Sequence, residues 1–429
     1  SVGAVGRRSN WAGTVTFPGR ASAPTCLDEA VAIMRAGGPV TPLGTGHSFS
    51  PIAVNASGQV SSMSLPADVR VSDDGTTVSV GAGTTYGELG SILQERGLAL
   101  AAMASLPHIS VGGAISTGTH GSGDAIGTLS SAVRALEVVT PDGRVRTISA
   151  DDPDFGGWVV SVGTLGFITR VTLAVEPTYE VAQTVLLDLD LDALEEQFDA
   201  VFSMATSVSV FTRWRDRPDG QVWLKRRMDR EGPWVDGPVL GTRLAPTDVH
   251  PLEVLDAVNC NPQCGSPGPW FERLPHFRMD FTPSSGEEIQ AEYLLPRSNA
   301  VEAIARVREM GSQIEPLLHI SEIRTMAADD LWLSPAYGRD TVGIHFTWHK
   351  DPLIYTVLPD IEAALVPLGA RPHWGKVTLL APQAIAESYP RWANFAAVAR
   401  SVDPSGRMGS PMMRQMLDPP PVASAHGEE

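Results

Sequence analysis

Two glycine-rich segments constrain this chain more than any other feature. The first runs Thr41-Pro42-Leu43-Gly44-Thr45-Gly46-His47-Ser48-Phe49-Ser50. The second runs from Ser105 through Ser110-Val111-Gly112-Gly113-Ala114-Ile115-Ser116-Thr117-Gly118-Thr119-His120 to Gly121. Neither carries the Gly-Lys-Ser/Thr ending of a P-loop, and no Gly-x-Gly-x-x-Gly follows a strand. Nucleoside-triphosphate hydrolysis and a Rossmann dinucleotide site are therefore both poorly supported. What remains is a run of small residues whose backbone N–H groups can approach a pyrophosphate, with hydroxyls from Ser116, Thr117 and Thr119 nearby. One such loop would be weak. Two, both rich in Ser and Thr and separated by a helical segment, are much stronger.

At 429 residues the chain exceeds what one hydrophobic core usually fills, so two or three domains are expected. Its 32 basic and 49 acidic residues leave a formal charge of −17. That sign repels phosphate backbones and argues against a nucleic-acid partner. No apolar run approaches the ~20 residues of a membrane span. The N-terminus lacks a basic-then-apolar signal pattern. Cys26, Cys260 and Cys264 are a poor disulfide framework and suit a reducing cytoplasm; no second ligand pair accompanies Cys260 and Cys264 to make a zinc site. The expectation is a cytoplasmic monomer without a metal.

Local patterns divide the chain. Val69 and Val71, Asp73-Asp74-Gly75, then Val78 and Val80 predict a strand–turn–strand unit. Thr85 and Glu88 form a capping box that opens a helix stopped by Gly97. Leu136–Val139 and Val145–Ile148 flank Pro141-Asp142-Gly143 as a second hairpin. Val171, Leu173 and Val175 alternate as a final strand before Glu176-Pro177-Thr178, where we place a boundary. An acidic helix is expected around Leu191 to Met204. From Asp229 to Ser285 the chain is dense in Pro and Gly without a periodic run, the pattern of a functional covering loop. In Thr341 to His349, Val342, Ile344, Phe346 and Trp348 alternate with Gly343, His345, Thr347 and His349. The same period two in Leu318 to Met326 puts Glu322 and Arg324 on one face. A solvated sheet face is the default reading of such alternation.

The residues in these segments resemble the vanillyl-alcohol oxidase-type flavoproteins, most closely the alditol oxidases. The resemblance covers almost the whole chain. It rests on Gly44 to Phe49, Met103 to Val111, Thr117 to Gly123, Val222 to Arg227, Trp332 to Asp340 and Arg371 to Lys376. It implies an FAD-binding domain and a substrate cap, with FAD bonded through its 8α-methyl to His47. A neutral imidazole nitrogen is a competent nucleophile toward that carbon. The implied cofactor contacts are Pro42, Leu43, Gly44, Thr45, Gly46, His47 and Ser48 in the first segment. In the second they are Ser105, Ser110, Gly113, Ser116, Thr117, Gly118, Thr119 and His120, with Ile168 and His373 beyond it.

On the substrate side the resemblance carries over Ser105, Glu322, Arg324, His345, Thr347 and Lys376. A polyol is uncharged and offers a row of hydroxyls, each donor and acceptor, which a mixed polar set suits. Arg324 and Lys376 are candidates to stabilise the developing alkoxide at C1, and His345 is a candidate proton acceptor. Lysine is rare here, only Lys225, Lys350 and Lys376, so Lys376 stands out. Trp270 and Phe271 are expected in the core. The segment Gly406-Arg407-Met408-Gly409-Ser410 departs from the Phe-Thr-Asn-like pattern of related chains, which puts the final return to the first domain in doubt.

The expected fold is α+β: an FAD domain over 1–177, an antiparallel-sheet cap over 178–376 and a C-terminal return over 377–429 with a mobile tail. The expected activity is oxidation of the terminal hydroxyl of sugar alcohols such as xylitol and sorbitol, with O₂ reduced to H₂O₂. The alternatives are an aldonolactone oxidoreductase of gulonolactone type and a flavin-binding protein without catalysis.

Overall fold

The computed structural model describes residues 8–9, 16–17, 21–43, 58–252, 255–279 and 288–418. Gly44 to Ser48, with His47, lie outside the described residues. Two separate antiparallel sheets dominate. The first takes the order β4-β3-β5-β2-β1, where β1 is Arg70–Val71, β2 Thr77–Gly81, β3 Val133–Val139, β4 Val145–Ser149 and β5 Phe167–Ala174. Both hairpins expected from the Asp-Gly turns are present, with Gly75 and Gly143 in the left-handed region at φ 71° and 80°. Helix α1 (Tyr86–Glu95) begins as expected: Thr85 Oγ1 accepts from the Glu88 N–H at 3.2 Å. Leu89 and Leu93 on its inner face are fully buried.

The second sheet has nine strands among the described residues. Its centre is formed by β6 (Glu180–Leu189), β7 (Ser207–Thr212), β8 (Gly220–Arg227), β9 (Glu288–Pro296), β10 (Leu318–Met326) and β11 (Thr341–His349), with β12 (Arg371–Pro372) on β9. Spatial order is β6-β8-β7-β10-β11-β9-β12. One face packs Ile323, Ile344, Phe346 and Trp348 against α2 (Ala300–Glu309) and α3 (Ile354–Leu365). The acidic helix expected from Leu191 to Met204 is two short helices, Leu191–Glu196 and Phe198–Phe202, because Gln197 leaves the helical region at φ −124°, ψ 31°.

The other face of this sheet is not solvated. All of β11 except His349 is buried, including His345 and Thr347. That corrects the default reading of the alternation: the polar stripe faces protein. Two things cover it. One is the second glycine-rich segment. The other is the Pro- and Gly-rich stretch, which has only short regular elements; its Phe277 N–H donates to the Ser105 carbonyl at 3.3 Å.

The chain also returns to the first sheet near its end, by a route the sequence pattern left in doubt. Val40 and Met408 form a parallel bridge, and Met408 is buried with Met34, Val60 and Phe167. The Arg407 guanidinium caps the carbonyls of Met34, Gly38 and Pro141. Here an arginine fan does the fastening, so a Phe-Thr-Asn-like segment is not required. Trp270 is buried and Phe271 packs beside it, as expected of core residues.

Candidate active site

The site grows from the pairing of three strands. In β10–β11 Glu322 lies opposite His345, and Arg324 opposite Gly343. In β9–β11 His345 lies opposite Glu292 and Thr347 opposite Gln290. The pleat therefore sends Glu292, Glu322, Arg324 and His345 to one face. Lys376 joins them from a turn after β12 that is fastened by His373 N–H to the Glu292 carbonyl at 3.0 Å and Lys376 N–H to the His373 carbonyl at 3.1 Å.

Glu292 is the hub of this face, with its side chain wholly buried. Its Oε1 accepts from Lys376 Nζ at 2.9 Å and His120 Nε2 at 3.0 Å; its Oε2 accepts from Arg324 at 3.2 Å. His120 Nδ1 faces the Gly121 carbonyl at 2.8 Å, so the ring is held between Glu292 and the second glycine-rich segment. Gly343 makes the space: a Cβ there would stand 3.0 Å from Glu292 Oε2. Although burial opposes ionisation, His120, Lys376 and Arg324 hold the Glu292 carboxyl well below its ordinary range.

Glu322 forms a second anion on the far side of Arg324. Its Oε2 accepts from His276 Nε2 at 2.6 Å and its Oε1 lies 3.3 Å from Arg324 Nε. That second contact is Coulombic, because Arg324 Nε makes no aligned hydrogen bond. Burial works against the charge, but Arg324 and His276 keep the Glu322 carboxyl ionised. Arg324 also reaches Ser105 Oγ and the His120 carbonyl, both at 3.5 Å. It thus ties the sheet to the second glycine-rich segment.

His345, His276 and His373, all buried, are neutral for a common reason. Burial, reinforced by nearby cations, lowers His345 to about 3 and His276 to about 4, and holds His373 well below the ordinary imidazole range. His345 Nε2 donates to Gln290 Oε1 at 3.2 Å, and His373 Nδ1 accepts from the Gly375 N–H at 2.9 Å. Lys225, buried behind Glu322, donates to the Leu274 carbonyl at 2.6 Å, and burial lowers its ammonium to about 7. A narrow, partly open pocket lies alongside, lined by Met103, Ser105, Gly121, Ser209, His276 and Arg324 among others.

Three residues of this face escaped the sequence reading. Glu292 had a signal: Glu288, Gln290 and Glu292 alternate with Ile289, Ala291 and Tyr293, the pattern already used for β10 and β11. His276 had none, since it sits in the aperiodic stretch. Lys225 stood in a quoted motif without a role. Thr347 lies on the expected face and is 9% exposed.

The cofactor candidates among the described residues gather beside this face. The helix Val111–Ser116 is capped by Ser110 Oγ, which accepts from the Gly113 N–H at 3.2 Å. A Cβ on Gly112 would press Ala82, and one on Gly121 would stand 2.5 Å from the Met103 carbonyl. The Val162 N–H donates to the Ser116 carbonyl at 3.0 Å. Val162 holds φ 50°, a costly position for a β-branched residue. Gly163 next to it packs on Pro42, which brings the two glycine-rich segments and the Ile168 strand together. Thr41–Leu43 forms a short strand there. Ser116 Oγ donates to the Gly112 carbonyl at 2.7 Å and Thr117 Oγ1 to the Gly113 carbonyl at 3.1 Å. These bonds engage the two hydroxyl protons within the helix, so the Thr117–Thr119 contact at 3.2 Å uses the Thr119 proton, with Thr117 Oγ1 accepting. Gly118, at φ 68°, turns the chain out of the helix. At Gly112, Gly113, Gly118 and Gly121 an added Cβ would come within 3 Å of the protein's own atoms, so this segment packs its backbone as closely as only glycine allows.

Among the described residues, no helix is long and apolar enough to cross a membrane and no group of His, Cys, Asp or Glu could hold a metal ion. Comparison with known proteins gives a consistent picture. Residues 20–149 match the FAD binding domain model, and residues 284–416 match the D-arabinono-1,4-lactone oxidase model. An alditol oxidase of Streptomyces sp. is 44% identical over 96% of this chain and 99% of its own. The L-gulono-1,4-lactone dehydrogenase of Mycobacterium tuberculosis is 29% identical over 96% of this chain and 99% of its own. Cholesterol oxidase from B. sterolicum superposes with a TM-score of 0.77 at 16% identity, covering 96% of each chain, which establishes the shared two-domain fold. The chain therefore belongs to the alditol oxidase branch of the vanillyl-alcohol oxidase-type FAD flavoproteins.

Proposed function

We propose that this protein oxidises the terminal C1 hydroxyl of sugar alcohols such as xylitol and sorbitol to the aldose, with O₂ as acceptor and H₂O₂ as product. The observation that carries the reading is the 44% identity to an alditol oxidase over 96% of the chain. The charge pattern supports it. Glu292 and Glu322 are balanced locally by Arg324 and Lys376, so the face suits a neutral polyhydroxyl ligand better than an ionic one.

FAD, when bound, would supply a hydride acceptor for C1 and a route for both electrons to O₂. The chain's own groups prepare the alcohol for that loss. Lys376 and Arg324 stabilise negative charge on the C1 oxygen. His345, neutral and with Nε2 donating to Gln290, offers Nδ1 to the hydroxyl proton. Its low basicity (about 3) makes it an acceptor that orients the hydroxyl, and the proton it takes as hydride leaves C1 is released to solvent water. Ser105, Glu322 and Thr347 pair with the remaining hydroxyls. The cradle of Pro42, Leu43, Gly44, Thr45, Gly46 and Ser48 with Ser110, Gly113, Gly118, Thr119 and His120 would hold FAD. His47, in the Gly-His-Ser motif, would carry the covalent bond. His373 borders the site from the cap.

The test is aerobic turnover with xylitol, measuring O₂ consumed and H₂O₂ formed against aldose produced. Equal amounts of all three are expected. Turnover with an artificial electron acceptor but without O₂ consumption would make the protein a dehydrogenase. A second reading, oxidation of an aldonolactone, is favoured by the lactone oxidase model that matches residues 284–416. The higher identity to the alditol oxidase places it second.

A further inference from the structure

We infer that Glu292 is a positioning residue for this reaction: it fixes the Lys376 ammonium and the Arg324 guanidinium relative to each other and offsets their combined charge. The inference rests on the roles proposed for Lys376 and Arg324, although the hold itself is independent of them.

The argument is geometric. One carboxylate accepts from both cations, Lys376 at 2.9 Å on Oε1 and Arg324 at 3.2 Å on Oε2, and from His120 at 3.0 Å. These partners come from three places: β10, the turn after β12 and the second glycine-rich segment. Glu292 lies on β9, so no backbone ladder joins all four. Without the carboxylate, two cations would face one another in a buried site, and each would relax away. Burial and the Arg324 charge oppose the Lys376 ammonium, while among the described residues Glu292 and, more weakly, Glu322 favour it. Glu322 is already occupied by His276 and Arg324. The backbone is built to admit this contact, since Gly343 leaves the room that the Glu292 oxygen occupies.

Charge and position can be read separately. The chain has three lysines, so ¹³C labelling at lysine Cε gives three signals, and the one lost in Lys376→Met reports Lys376. In Glu292→Gln that signal should titrate at least about one pH unit lower than in the wild type, as expected on losing a close opposite charge. Glu292→Asp, which keeps the charge but is shorter, should restore part of the shift. Anaerobic flavin reduction by xylitol should slow by about 10²-fold in Glu292→Gln, the scale of a small misplacement of catalytic groups. Its alkaline limb should move to lower pH in step with the lysine. A Lys376 titration and a reduction profile that both match the wild type would overturn the inference. Should Glu292→Gln fail to fold, Gly343→Ala, which crowds Oε2, must lower the alkaline limb in the same direction; an unchanged limb there overturns it equally. If the wild type is not reduced by any polyol, the functional reading falls, while the lysine titration still decides whether Glu292 holds Lys376.

Discussion

His276 Nε2 donates a 2.6 Å hydrogen bond to the Glu322 carboxylate, joining the aperiodic covering stretch to the middle of the sheet. His276 also packs edge-on against Trp223 and Phe211. This one ring therefore both closes the pocket and keeps Glu322 in place.

Replacing His276 with Ala should cost about 1.5–3 kcal/mol, the range for a hydrogen bond to a charged group, because Glu322 is left with Arg324 alone. Denaturant unfolding of the flavin-loaded protein checks the stability loss. A rise in KM for xylitol larger than the fall in kcat would show that Glu322 binds substrate hydroxyls.

Acid should destabilise the protein in two stages. His276, His345 and His373 are held below their ordinary value of 6.5 in the fold, so the unfolded chain binds protons first. Their contribution is complete above pH 6.5 and falls as pH drops toward about 4 and 3. Glu292 and Glu322 are depressed from 4.5; their contribution is present above that value and falls below it. Thermal unfolding midpoints should therefore decline from about pH 6.5 downward, and more steeply below 4.5. Replacing His345 with Asn should make the decline shallower over the whole interval from pH 6.5 to about 3.

The chemistry was more legible than its wiring. Period-two alternation placed Glu322, Arg324, His345 and Thr347 on one face, because a strand's side-chain period does not depend on what covers it. Whether that face meets water does depend on it. The cover comes from 101–123 and from a stretch whose conformation is set by tertiary contacts such as Phe277 to Ser105. His276 was invisible for the same reason. Glu292 was accessible in principle, since β9 alternates as β10 does. Its three partners come from three different segments, however, and no local pattern announces them. Thr85, Glu88 and Gly97 were legible as start and stop signals because capping is a local hydrogen-bond problem.

Lys376→Met should lower the rate of flavin reduction by about 10²–10³-fold, the usual cost of removing one donor to a developing oxyanion. FAD should remain bound, since Lys376 pairs with Glu292 on the sheet face. Stopped-flow reduction together with the 450 nm absorbance of the purified protein separates these outcomes, and an unchanged reduction rate would remove Lys376 from the mechanism.

The proposed bond to His47 makes a separate prediction. Wild-type protein denatured and washed free of small molecules should stay yellow. His47→Ala should release its flavin under the same treatment. Colourless wild-type pellets would show that the cofactor is held without a covalent bond.

The most direct measurement is anaerobic addition of xylitol to the purified yellow protein while the flavin absorbance is followed. It tests the donor without assuming an acceptor. The account predicts bleaching with xylitol and sorbitol. A flavin that stays oxidised with both, yet bleaches with an aldonolactone, would contradict it.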